Sequence, residues 1–108
     1  MINPPGTQRA QREKEIQDKV IEIIKKKIAP CKIILFGSRA KGKHNKGSDF
    51  DFAVDSESPG IRAERKIMEE IDEIAGLYKV DIVYLGTVDE TFKNLVLKTG
   101  KVVYERGN

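Results

Sequence analysis

The chain of 108 residues has the length of one ordinary domain, and its 39% hydrophobic residues supply a modest core. Lys and Arg number 20 against 17 Asp and Glu, a formal charge of +3 with both signs interspersed. That excess is too mild for binding driven by nucleic-acid phosphates, so no direct DNA binding is expected.

A single cysteine, Cys31, forbids an internal disulfide. No apolar run nears the ~20 residues of a membrane span, and the first residues carry no apolar signal segment, so a cytoplasmic protein without membrane association is expected. Residues 1–7 are expected to be a flexible tail ending at Thr7, a possible helix cap, with a single domain over 8–108. From 8 to about 28, Ile16, Val20, Ile23, Ile24 and Ile28 recur at helical spacing. Lys25, Lys26 and Lys27 suit the negative end of that helix dipole, and Pro30 ends it.

The β-branched run 31–36 predicts a strand, with Cys31 as a small core residue at its start. Gly37-Ser38 breaks it, and Arg39-Ala40-Lys41 suits one helical turn. Residues 42–47 form a polar loop. His44, the sole histidine, has no Cys or second His near it in sequence, which argues against a metal role. Residues 48–55 alternate strictly and predict a strand; 56–60 turn the chain; 61–76 predict a helix with Ile67, Ile71, Ile74 and Ala75 facing inward. Residues 79–85 predict a third strand, 89–100 a short helix closed by Gly100, and 101–105 an edge strand. The sum is an α/β (α+β) domain in the order αβαβαβαβ, a small mixed sheet with helices packed on it.

Strand alternation puts Asp49 and Asp51 on one face while Phe50, Phe52 and Val54 take the other. Unpaired, the two anions would repel, and a divalent cation removes that conflict; an oxygen-only donor set suits Mg2+ or Mn2+. If the first two strands are antiparallel neighbours and 61–76 is a crossover, Asp81 on the third strand arrives at the same edge, facing Gly37 and Ser38. Three carboxylates there suit phosphoryl or nucleotidyl transfer, in which two metals hold the attacking and leaving oxygens. Backbone N–H groups at a helix start after Ser38 would take the phosphates. Arg39, Lys41, Lys43 and Lys46 either attract a triphosphate or form a plain charged loop. Asp55 shares the parity of Asp49 but lies further along the strand, outside the expected site.

Gly37-Ser38, ten intervening residues, Asp49-Phe50-Asp51 and the later Val80-Asp81-Ile82 resemble the nucleotidyltransferase superfamily that includes polymerase β. The string FGSRAKGKHNKGSDFDFAVD in so short a chain is similar to the minimal nucleotidyltransferases, antitoxin partners of HEPN-domain toxins. The resemblance implies a polymerase β palm-like fold. It implies that Asp49 and Asp51 ligate Mg2+ (two ions, with Mn2+ an option), that Asp81 joins them at the catalytic metal and helps deprotonate the acceptor, and that Gly37 and Ser38 bind the donor phosphates. It further implies transfer of AMP from ATP to a tyrosine of a HEPN toxin in a hetero-oligomer, as the antitoxin of a type VII-like pair. Two other readings stay open: transfer to a small-molecule hydroxyl, and a non-catalytic antitoxin that acts by binding.

Overall fold

The computed structural model describes residues 5–42 and 49–107, with side chains from residue 8 onward. Lys43, His44 and Lys46, and residues 1–4 of the expected tail, lie outside them. Seven elements follow in the order α1 (Pro5–Lys27), β1 (Lys32–Phe36), β2 (Phe50–Val54), α2 (Ile61–Ala75), β3 (Val80–Tyr84), α3 (Glu90–Thr99) and β4 (Lys101–Glu105). The first helix begins at Pro5, so Thr7 lies inside it rather than capping it. The helical turn expected at 39–41 is absent: residues 37–42 are hydrogen-bonded turns, closed by Gly42 N–H donating to the Arg39 carbonyl at 3.3 Å. The order is therefore αββαβαβ, with the four expected strands present.

The sheet runs β3-β2-β1-β4. β1 pairs antiparallel with β2 and with β4, while β2 and β3 are parallel, joined through α2 as a crossover. On one face, Ile16, Val20 and Ile24 of α1 and Ile67, Ile71 and Ala75 of α2 close over Ile33, Leu35, Phe50, Phe52, Val54, Val80 and Tyr84. On the other, α3 brings Val96 and Phe92 against Ile34, Phe36, Ala53, Val83 and Leu85. Asp89 starts α3 by accepting from Phe92 N–H at 2.7 Å, and the Gly100 N–H, donating to the Val96 carbonyl, closes it. Among the described residues α3 is the only helix packed on this face, and Asp51 and Asp81 stay part-exposed. No helix among the described residues is long and apolar enough to cross a membrane.

Candidate active site

The parallel β2–β3 register sets Phe50 opposite Val80, Asp51 opposite Asp81 and Phe52 opposite Ile82. Register partners share a face. Phe50 and Phe52 are buried under α1 and α2, so Asp51 and Asp81 stand together on the opposite face. Asp49 lies immediately before β2, and its charge is among those that raise the pKa of Asp51. The antiparallel register puts Phe36, the last residue of β1, beside Asp51. The next residue is Gly37, so the Gly-Ser turn leaves β1 against that carboxylate.

Gly37 is required there in two ways. Its φ is +77°, a backbone region that side chains disfavour, and a Cβ built on it would lie 2.6 Å from Asp51 Oδ2. Only a bare backbone reaches the carboxylate this closely. Ser38 follows, half-buried.

Burial pushes the Asp51 carboxyl above its ordinary 3.8; the charges of Asp81 and then Asp49 add to this, and Lys79 opposes them. Lys79 Nζ lies 4.0 Å from Asp81 Oδ2, an exposed pair of weak effect. No described cation pairs with Asp51. A partly desolvated carboxylate that faces two like charges, with no described cation paired to it, fits a hard divalent ion by donor chemistry. Among the described residues, no three His, Cys, Asp or Glu side chains already close into a metal-binding group. The donor chemistry of the three carboxylates thus suits an ion.

Other expectations meet mixed outcomes. No described helix starts after Ser38, so donors for a phosphate would come from turn N–H groups rather than a helix end. Asp55 is exposed at the far end of β2 from Asp49. Cys31 is exposed rather than core, and its sulfur accepts from Arg106 Nη2 at 2.9 Å. Lys41 is exposed. Arg39 belongs to the turn, but its side chain leaves the surface. It is buried beneath the sheet, donating from Nη1 to Glu13 Oε1 at 2.9 Å with its guanidinium carbon 3.8 Å from the centre of the Phe50 ring.

Tyr78 completes this cluster, donating its hydroxyl to Glu13 Oε2 at 3.0 Å. Burial alone would raise the Glu13 carboxyl; hydrogen bonds from Arg39 and Tyr78, with the charges of Arg39 and Arg9, outweigh it and hold Glu13 below its ordinary 4.5. Sequence reasoning missed the cluster, although a signal existed. Glu13 precedes Ile16 by three residues and Val20 by seven, so it lies on the apolar stripe of α1, where a lone carboxylate needs a partner.

The chain has relatives. Residues 18–108 match the family model described as polymerase beta, nucleotidyltransferase. A Haemophilus influenzae protein named "Probable protein adenylyltransferase MntA" is 36% identical over 72 residues, which cover 66% of this chain and 63% of that protein. The Aphanizomenon flos-aquae "Protein adenylyltransferase MntA" is 37% identical over 84 residues, covering 68% and 55%. The chain therefore matches less than two thirds of the length of either relative. A chain of a crystal structure described as a toxin-antitoxin with AMP-PNP superposes with a TM-score of 0.69 at 26% identity, over 82% of this chain and 73% of that one. The matched span contains the Gly-Ser turn and all three aspartates, and by that match the chain belongs to the polymerase β nucleotidyltransferase family.

Proposed function

We propose that this chain is a Mg2+-dependent nucleotidyltransferase that moves AMP from ATP to a tyrosine hydroxyl of a HEPN-domain toxin, and so serves as the antitoxin of a type VII-like pair. The observation that carries the chemistry is the register pairing of Asp51 with Asp81 beside a glycine that only a bare backbone could supply. The toxin as acceptor is supported by what the relatives are named and by the toxin-antitoxin neighbour with AMP-PNP, an ATP analogue.

In this reading Asp49, Asp51 and Asp81 hold the divalent metal, two ions in the full site. The ions supply charge neutralisation at the triphosphate when bound. Gly37 and Ser38 receive the donor phosphates on the turn after β1, where the glycine lets the backbone approach closely. Asp81 takes the proton from the acceptor hydroxyl. The acceptor oxygen then bonds to the α-phosphorus of ATP, the bond to the bridging oxygen breaks, and pyrophosphate leaves with that electron pair.

The test is label transfer from α-labelled ATP with Mg2+ and an extract of the source cells, beside the Asp49→Ala, Asp51→Ala double variant. Label on one co-purifying protein, absent with the variant, is expected. Label on small molecules alone would support transfer to a small hydroxyl compound. A partner that co-purifies and is neutralised without label would support an antitoxin that acts by contact.

A further inference from the structure

Each segment that carries a site residue also sends one side chain to a single cluster beneath the sheet. Arg39 lies two residues after Gly37, Phe50 lies between Asp49 and Asp51, and Tyr78 lies three before Asp81. The Arg39 guanidinium covers the Phe50 ring at 3.8 Å and stands 5.7 Å from that of Tyr78. The Phe50 and Tyr78 rings meet edge to face at 5.7 Å. Glu13 of α1 joins the set, one carboxylate oxygen accepting from Arg39 at 2.9 Å and the other from Tyr78 at 3.0 Å. Ala40 packs on the same core, and Phe50 N–H donates to the Lys79 carbonyl at 2.9 Å.

A buried ion pair is a poor way to gain stability, because desolvating both charges offsets most of their attraction; its better-attested use is to select one arrangement. Here the arrangement selected is the seating of the Gly-Ser turn. A leucine in place of Arg39 could fill space, but it could not bond Glu13 while lying flat on Phe50. Lysine could make the bond but not the planar stack.

We propose that Arg39, held by Glu13, is a positioning residue for nucleotidyl transfer: it fixes the Gly37-Ser38 turn at its working distance from Asp49, Asp51 and Asp81 without touching nucleotide. The proposal rests on the nucleotidyltransferase reading above. Its signature is a split in the kinetics, because a turn displaced by ~1 Å misaligns the phosphates for attack by up to ~100-fold. Binding of the nucleotide is affected far less than its alignment.

The experiment uses the full chain with its labelled acceptor and compares wild type with Arg39→Lys, Glu13→Gln and Tyr78→Phe, at a temperature where circular dichroism shows all four folded. Expected is a kcat for Arg39→Lys at least tenfold below wild type, with the KM for ATP within about threefold. Glu13→Gln, which keeps an acceptor but not the charge, should lose less, and Tyr78→Phe least. The Glu13→Gln, Arg39→Lys double variant should be no slower than Arg39→Lys alone, since the two act as one unit. Should Arg39→Lys fail to fold, the graded losses of the other two carry the test. A folded Arg39→Lys with wild-type kcat, or a Glu13→Gln and Tyr78→Phe pair that both turn over as wild type, overturns the positioning role. Absence of transfer by the wild type itself overturns the nucleotidyltransferase reading and this inference with it.

Discussion

Asp51 and Glu13 are carboxylates on opposite sides of one sheet, and their surroundings treat them oppositely. Glu13 is buried, and an arginine, a tyrosine and a second arginine draw it below its ordinary pKa. Asp51 is half-buried, and burial with two neighbouring aspartates drives it above its ordinary pKa. Below the sheet the charges are settled within the chain. Above it no described cation forms an ion pair with Asp51, and Lys79 only opposes its two like-charged neighbours. Under the proposed function the upper face is the one that would take a cation, and the lower face the one that would hold the Gly-Ser turn in place.

The sharpest way to break this comparison is to neutralise the unsettled side. Asp51→Asn removes a charge from the proposed metal set while keeping its shape. Label transfer from α-labelled ATP should fall by about 1,000-fold or more, on the scale of losses when a catalytic unit is broken. Residual transfer above a tenth of wild type would remove Asp51 from the chemistry.

Gly37→Ala acts on the approach between turn and carboxylate rather than on charge. Alanine at φ +77° is strained, and its methyl would meet Asp51 Oδ2. The strain costs about 1–2 kcal/mol, read as a lower urea midpoint, and transfer should fall more than tenfold as the turn is pushed off. An alanine variant with unchanged midpoint and rate would mean that the close approach is not needed.

Adding Mg2+ or Mn2+ should raise the melting temperature of the wild type, because an ion bound only by the folded chain stabilises it by about 2.7 kcal/mol at 100 times its dissociation constant. Asp51→Asn should show little of that rise, whereas Glu13→Gln should keep it. An equal rise in both variants would place the ion elsewhere on the surface.

Much of this contrast could be read along the chain, and its missing half has a physical reason. Strand alternation across residues 48–55 separates Phe50 and Phe52 from Asp49 and Asp51, because the period of two leaves no freedom in which face each side chain takes. Asp81 could be brought alongside only through the expected crossover, and the parallel register then sets it opposite Asp51. Arg39 was opaque. Next to Lys41 and Lys43 in sequence it resembles a charged loop, and only the folded chain reveals that the turn aims it under the sheet. Its partner Glu13 is 26 residues away on another element. Periodicity shows which face a residue takes, but not which distant partner meets it there. The same limit explains Cys31, whose exposure depends on how the chain passes from α1 to β1 rather than on its neighbours' hydropathy.

The smallest effect is the one that tests the asymmetry most directly, since the two carboxylates should act on stability with opposite signs as pH changes. Glu13 has a depressed folded pKa, so its contribution is present above the unfolded value near 4.5 and is lost as pH falls through the folded one. The melting temperature of wild type should therefore exceed that of Glu13→Gln at neutral pH, and the gap should narrow below about 4.5. Asp51 has a raised folded pKa, so its contribution is favourable below the unfolded value near 3.8 and is lost as pH rises through the folded one. In chelator, Asp51→Asn should then melt a few degrees above wild type at neutral pH, with the gap closing on acidification. Saturating Mg2+ should invert that order, because the ion relieves in the wild type the repulsion that asparagine removes outright. If Asp51→Asn were less stable than wild type in chelator at neutral pH, Asp51 would have a partner within the chain, and the upper face would be as settled as the lower.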